Sequence, residues 1–350
     1  MFKAIGVTHR VDTDYPAGCG FGESDWHVLA SFWHPIAFAH EVGERPVSLR
    51  LLDIDLVVYR TSAGLTVARD RCPHRGVHVS AGRVVDDLLV CPMHGLHFDA
   101  AGVCRKIPSL PDQSAPISPA MRLTTYRCEQ RYGIIWTCLK PEAIAPLPQW
   151  PYLDGPTTRN VYVPPDMWRA SAARHVENFN DVAHFPWVHL RSFGSDAVTQ
   201  TPRYEVEDTE WGLRFSYPYE EGGNRFPDGV EAENRDVTYT FELTFPFSTQ
   251  LTVDPHGSDF VHYFADTVCP VSVNQSRIFQ LLTDTTGRPD ERFWIEDSMA
   301  INADDKPLVE SQPPELPLDP AGELHHIPAD RWSIRYRQRL VEQFGLGRSD

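Results

Sequence analysis

The segment that decides the fold opens with Cys72-Pro73-His74 and, sixteen residues later, closes with Cys91-Pro92-Met93-His94-Gly95. Each group sets a thiol and an imidazole two or three residues apart on a short proline-bearing loop, so the side chains of both loops can converge on one metal centre. Two thiolates and two imidazoles suit a structural zinc ion. In the order Cys-x-His then Cys-x-x-His, on two loops of a β-rich context, they better suit a 2Fe-2S cluster in which histidines replace cysteines on one iron and raise the potential.

The flanking sequence supplies that context. From Val47 to about Trp136 the chain is built of short runs rich in Val, Leu and Ile, such as SLRLLDIDLVVYRT (48–61), GLTVARD (64–70), LLVCPMHG (88–95) and YGIIWTCL (132–139), broken by Gly, Asp and Pro. This predicts a small all-β domain. Ahead of it, residues 1–23 read as an irregular lead-in, and Ser24 is positioned to cap a helix through Trp26, Leu29, Phe32 and Trp33 that Pro35 ends or bends. The proline-rich PEAIAPLPQWPYLDGP (141–156) reads as a crossover, placing domains at 1–145 and 146–350.

Beyond it, DMWRASAARHVENFNDVAHF (166–185) predicts a helix from about Trp168 to Phe185, closed by Pro186. Four strands are expected in RYEVEDTEWGLRFSYPY (203–219), DVTYTFELTFPFSTQLTVD (236–254), DFVHYFADTVCPV (259–271) and QSRIFQLLTDT (275–285). Further helices are expected from Asp290 to near Val309 and from Ala329 to Phe344. The fold class is therefore α+β, an all-β first domain followed by an antiparallel sheet flanked by helices.

Composition narrows the function classes. Of 350 residues, 32 are Lys or Arg and 48 are Asp or Glu, a formal charge of -16 that offers no field for nucleic acid or an anionic bilayer. No apolar run approaches the length of a spanning helix, and the opening MFKAIGVTHRVDTDYPAG lacks a signal-type apolar core, so a cytoplasmic location is expected. Seven cysteines (19, 72, 91, 104, 128, 138 and 269) form no evident disulfide framework. No glycine-rich nucleotide fingerprint or nucleophile elbow is present, so any nicotinamide chemistry must sit on another protein.

A second constellation lies in ENFNDVAHFPWVH (177–189). Asp181 and His184, three apart, are expected on one helix face, and a chain broken at Pro186 can bring His189 back to His184. Two histidines with a carboxylate from elsewhere would make the facial triad of a non-heme Fe(II) site.

CPHRG (72–76) with CPMHGLHFDAAG (91–102) resembles the Rieske domain of the Rieske non-heme iron oxygenases, and the D-x-x-H-x-x-x-x-H of Asp181, His184 and His189 resembles their mononuclear iron motif. The resemblance spans nearly the whole chain. It implies that Cys72 and Cys91 bind one cluster iron and His74 and His94 the other, while His184 and His189 bind the mononuclear iron. Asp181 is implied to bridge to a cluster histidine of a neighbouring subunit, with Asn178 near the iron. The second loop departs from the family pattern, carrying Met93 and Leu96 where Tyr and Trp are usual; His78 and His97 fall outside the ligand pattern. INADDKPLVESQPPE (301–315) resembles the late helix of these enzymes, which points to Asp305 as third ligand, with Asp304 and Glu310 as rivals.

The family implies a helix-grip, START-like catalytic domain, a homotrimer, and a terminal oxygenase that uses O2 and electrons from a separate NAD(P)H-dependent reductase of flavin or ferredoxin type. ADRWSIRYRQRLVEQFG (329–345) resembles the last helix of N-demethylating members, so the expected reaction is N- or O-demethylation of a small aromatic or heterocycle with formaldehyde release, or else hydroxylation of an intact ring or natural product. An electron-transfer or redox-sensing Rieske protein with a ligand-binding domain, and a zinc-bound interaction module, are the readings of other classes. Phe179, Trp187, Phe215, Phe241, Phe245, Phe247, Tyr263, Phe264 and Phe279 supply aromatic surface near the expected iron, of which strand alternation allows only about half to line a pocket.

Overall fold

The computed structural model describes residues 15–155, 158–222, 234–286, 290–313 and 325–347. The lead-in expected over 1–23 falls among them only from Tyr15 onward. Helix α1 (Glu23–Leu29) begins two residues earlier than expected, with Gly22 rather than Ser24 at the N-cap and Glu23 and Asp25 against the positive end of its dipole. It stops at Leu29, and Pro35 lies not at a helix end but in an edge strand, where a missing N–H costs no ladder bond.

Among the described residues the first half carries ten strands. They are β1 (His34–Phe38), β2 (Val47–Leu51), β3 (Ile54–Thr61), β4 (Gly64–Arg69), β5 (Arg83–Val85), β6 (Leu88–Val90), β7 (His97–Phe98), β8 (Cys104–Lys106), β9 (Thr125–Arg131) and β10 (Ile134–Cys138). They form a six-stranded sheet in the order β1-β10-β9-β4-β3-β2 and a four-stranded meander β5-β6-β7-β8. Leu52-Asp53, Asp86-Asp87 and Tyr132-Gly133 all take positive φ between paired strands, the backbone a two-residue hairpin turn demands. A buried cluster of Val57, Tyr59, Ala68, Val79, Leu89, Leu96, Phe98 and Leu123 fills the space around Cys72 and Cys91.

Among the described residues the second half forms one seven-stranded antiparallel sheet, not four strands. Its members are β11 (Val161–Trp168), β12 (Glu207–Thr209), β13 (Gly212–Glu221), β14 (Arg235–Thr244), β15 (Ser248–Pro255), β16 (His262–Ser272) and β17 (Gln275–Asp284), ordered β11-β17-β16-β15-β14-β13-β12. Two expected runs each contain a turn. The run 203–219 reverses at Glu210-Trp211 into β12 and β13, and 236–254 reverses at 245–247 into β14 and β15.

The helix expected from Trp168 to Phe185 is corrected. Trp168 ends β11, whose register shift between Val163 and Asp166 absorbs Pro164-Pro165. Ser171 then caps α2 (Ala172–Phe179), its side chain accepting from the Arg174 amide. Asn180 ends that helix, and a separate turn α3 (Phe185–Val188) has Pro186 in its first turn, where proline is accommodated. Asp181 and His184 thus sit on the link between two helices and not on one helical face. Helix α4 (Glu291–Glu310) matches its expectation, and α5 (Arg331–Arg339) runs on through a π turn, Leu340–Phe344, to left-handed Gly345.

The two halves share a core, in which Trp136, Ile36 and Phe38 of the first pack with Phe279, Ile278 and Val268 of the second. The hairpin joining β2 and β3 donates from Leu52 and Asp53 amides to the carbonyls of Pro270 and Val271 on β16. Among the described residues no helix is long and apolar enough to cross a membrane.

Candidate metal centres and adjoining cavity

The two cysteine loops are built alike. In each, the cysteine carbonyl accepts from the glycine four residues on, Gly76 at 2.8 Å and Gly95 at 3.1 Å, and the cysteine amide donates to the carbonyl beyond that glycine. Gly76 (φ 74) and Gly95 (φ 66) occupy the left-handed region that closes such a turn. Cys72 and Cys91 are buried, whereas His74, Met93 and His94 are exposed, and the two imidazole rings lie 4.6 Å apart. Burial pushes the Cys72 thiol up to about 11, and the adjacent Cys91 thiol adds to the effect against the amides of His74 and Arg75. Thiols release their protons to solvent when they bind a cation, so donors and setting fit a cluster with a dry cysteine side and a wet histidine side. His78 instead meets Asp70, and His97 the Gly95 carbonyl.

In the second half, α2, α3 and α4 bring three ligand atoms together. His184 Nε2 stands 3.1 Å from His189 Nε2 and 3.6 Å from Asp305 Oδ1, and His189 Nε2 is 3.3 Å from the same oxygen. Neighbouring ligands on one octahedral ion lie about 3 Å apart, so the donor set fits a cation bound on one face. The Oδ1 of Asp305 is buried with no hydrogen-bond donor among the described residues, as an oxygen meant for a cation would be. Asp304, one residue earlier, turns outward to Arg191, and Glu310 pairs with Arg169.

Behind this trio, His184 Nδ1 is 3.0 Å from Asp181 Oδ2, and the Ala183 amide donates to Asp181 Oδ1 at 2.9 Å. Burial opposes the Asp181 charge, but the His184 bond and the neighbouring amides outweigh it and hold the carboxyl below its usual range. Asn178 lines the adjoining cavity, while Asn180 is fully buried and donates to Val176 O and Thr249 Oγ1.

The cavity beside the three ligands measures about 210 Å³. Strand register explains its wall. Phe241 faces Leu251, Leu251 faces Phe264, Val253 faces His262, and Asp266 faces Gln280, so one face of β14–β17 looks into it. Trp294 and Ile301 of α4 and Phe179 of α2 close the other side. Of the nine aromatics picked from sequence, Phe179, Phe241 and Phe264 line this space; Phe215, Phe245, Phe247 and Phe279 are core, Tyr263 stacks on Tyr152, and Trp187 is 70% exposed.

Polar wall residues were missed by sequence reasoning. Glu221 and Arg235 pair across β13 and β14 at 2.6 Å, and Tyr239 donates to Glu221. His262 is held at about 4 by burial, with Arg235 adding to the effect, and so is neutral near pH 7. Asp266, Gln280 and Asn302 also line the cavity, and His175 of α2, outside its lining, bonds to Asp266. The available signal was phase, since His262, Phe264 and Asp266 alternate in step with the inward apolar residues.

Two family profiles match, the Rieske [2Fe-2S] domain over residues 32–127 and the Vanillate O-demethylase oxygenase C-terminal domain over residues 168–343, half of the chain. The chain is 29% identical over 324 residues to Methylxanthine N1-demethylase NdmA of Pseudomonas putida, covering 90% of this chain and 89% of the relative. It is 32% identical over 218 residues to the 5,5'-dehydrodivanillate O-demethylase oxygenase subunit of Sphingobium sp., covering 58% and 50%. The solved structure of Pseudomonas putida CBB5 NdmA with caffeine superposes with a TM-score of 0.80 at 27% identity, covering 91% of this chain and 92% of that one. Dicamba monooxygenase bound to dicamba, at 20% identity and a TM-score of 0.76, covers 91% and 98% and shares the fold. From the two profiles and the near full-length likeness, the chain belongs to the Rieske oxygenases with a vanillate O-demethylase-type C-terminal domain, iron-dependent enzymes carrying a Rieske 2Fe-2S cluster and a mononuclear iron.

Proposed function

We propose that this chain is the terminal oxygenase of a multicomponent demethylase, with residues 1–145 as its electron-accepting domain and 146–350 as its catalytic domain. The observation that carries the reading is the meeting of His184, His189 and Asp305 at the edge of an apolar cavity, with Asp181 bonded behind His184. Cys72, His74, Cys91 and His94 hold the cluster in this reading, and His184, His189 and Asp305 hold the iron.

An iron held by His184, His189 and Asp305 would supply dioxygen activation beside the cavity. The protein's part is to bind, orient and keep dry. The wall of Phe179, Phe241, Phe264 and Trp294 holds a flat aromatic or heterocyclic ring and excludes water from the reacting methyl group. In sum, one O2, two electrons and two protons convert a methyl on nitrogen or oxygen to hydroxymethyl plus water. The hydroxymethyl adduct then collapses to formaldehyde and the demethylated N–H or O–H. Electrons come from a separate NAD(P)H-dependent reductase.

Asp181 suits a relay because it already holds one ligand imidazole and is a third exposed, so it can accept from a second imidazole. The exposed His74 and His94 provide that imidazole if chains assemble head to tail, which favours a homotrimer in which each iron is served by a neighbour's cluster. None of the seven cysteines pairs in a disulfide, which suits the cytoplasm.

Iron and sulfide analysis with an EPR spectrum of the reduced protein tests the assignment. About three irons and two sulfides per chain, a low average g value, and formaldehyde from an N-methyl or O-methyl substrate with reductase present are expected. Two irons per chain in fully clustered protein would remove the catalytic reading.

A further inference from the structure

Asp266 on β16 and Gln280 on β17 are register partners on the sheet face that lines the cavity. From α2, His175 directs Nε2 at both Asp266 oxygens, 3.0 Å to each, and both residues are 2% exposed or less. Gln280 donates from Nε2 to Asp266 Oδ2 at 2.9 Å and to Asn302 Oδ1 at 3.2 Å, while Asn302 returns a bond to Gln280 Oε1 at 2.7 Å. Asn302 lies one turn before Asp305 on α4, so the set joins the sheet to α2, which leads into Asp181, and to α4, which carries Asp305. Neither the reaction nor the metal ligands explain it.

The arrangement fixes a dry carboxylate on the cavity wall. Among the described residues Oδ1 of Asp266 takes only the shared His175 donor, which leaves it lone-pair capacity for a donor arriving from the cavity. Away from water such a bond is strong and directional, whereas a second carboxylate there would meet a like charge at low dielectric. The rest of the wall points the same way: apart from the metal ligands, its described residues include the carboxylates Glu221, Asp266 and Asp297 against one arginine, Arg235, which Glu221 already faces.

Resting on the demethylase reading, we infer that Asp266, oriented by His175 and Gln280, is the specificity residue of the cavity and selects a nitrogen heterocycle that presents a ring N–H, in preference to an aromatic carboxylate. The bond is a hydrogen bond from the substrate N–H to Asp266. Gln280 and His175 position the carboxylate and do not touch the substrate.

Isothermal titration calorimetry on the anaerobic holoenzyme tests this with four probes. Theobromine keeps one ring N–H, caffeine has that nitrogen methylated, and vanillate and dicamba carry a carboxylate. Theobromine should bind about tenfold or more tighter than the other three, the span of a hydrogen bond to a charged group. Asp266→Asn should cut theobromine affinity about tenfold and leave caffeine within about twofold. Should that variant not fold, the wild-type ranking still decides. Preference for either carboxylate, equal affinity for theobromine and caffeine, or no binding of either heterocycle would overturn the inference. Formaldehyde release from vanillate by enzyme with its full iron content would sink it while sparing the demethylase reading; absence of the mononuclear iron would sink both.

Discussion

His184 presents its two ring nitrogens to opposite partners, Nδ1 to Asp181 Oδ2 at 3.0 Å and Nε2 to His189 and Asp305. A carboxylate behind a ligand imidazole fixes its tautomer and aim, and its loss in metal sites typically costs about 10- to 100-fold. Asp181→Asn keeps the shape but not the charge. Both metals should remain, by iron analysis, while turnover falls at least about 10- to 100-fold and the cluster, once reduced, reoxidises slowly in single-turnover experiments. Full activity in this variant would remove Asp181 from electron transfer.

Asp304 and Asp305 are adjacent in sequence but opposite in environment. The first meets the exposed Arg191, the second the two histidines. Asp305→Ala should therefore lose the mononuclear iron, leaving about two irons per chain and an undiminished cluster spectrum. Asp304→Ala breaks only a surface pair, worth about 1 kcal/mol or less, and should keep its full iron content. The reverse pattern would transfer the ligand role to Asp304.

The metal-bearing motifs were legible because their spacing is local. Cys72 to His74, Cys91 to His94 and His184 to His189 each lie within one or two turns of chain, so the order of residue types encodes the geometry. Asp305 was legible only through resemblance, since nothing within the chain ties it to a histidine more than a hundred residues away. The helix predicted through Asp181 failed for a local reason: Asn180 ends α2, and Pro186 opens a new turn instead of closing the old one. The Asp266, Gln280, His175 and Asn302 set was hidden because it draws one residue from each of four elements, and only register brings them together.

Acid should weaken the fold through buried histidines. His34 donates Nε2 to Leu29 O at 2.8 Å, but its Nδ1 is buried without a partner, so a second proton would have no acceptor. Burial accordingly holds His34 at about 4, as it does His262. Between about pH 6.5 and about 4 the unfolded chain binds these protons and the folded chain does not, so stability is full above about 6.5 and falls as pH drops. The slope is up to about 1.4 kcal/mol per pH unit for each ring. His34→Gln should keep the bond to Leu29 and flatten the urea-unfolding free energy over this window by one ring's share. An unchanged slope would show that His34 accepts its proton in the folded state.

Glu177 on α2 and Arg337 on α5 form a two-bond pair, at 2.6 and 3.0 Å, with Arg174 at 3.4 Å on the same carboxylate. The pair ties the last helix to the one that leads into Asp181. Burial pushes the Glu177 carboxyl above its usual range against the pull of Arg337 and Arg174, so removal of Arg337 leaves the buried charge with only the longer Arg174 contact. Breaking one side of such a pair costs about 3–5 kcal/mol, whereas replacing both sides with well-packed neutral groups is often near neutral. Arg337→Met should therefore lower stability by about that amount at pH 7 and by less near pH 5, where Glu177 can take up a proton. The double variant Glu177→Gln with Arg337→Met should recover most of the loss. If the single and double variants unfold alike in urea at pH 7, the pair is incidental and the hold of α5 on the iron-side helix rests on the packing of Trp332 and Tyr336.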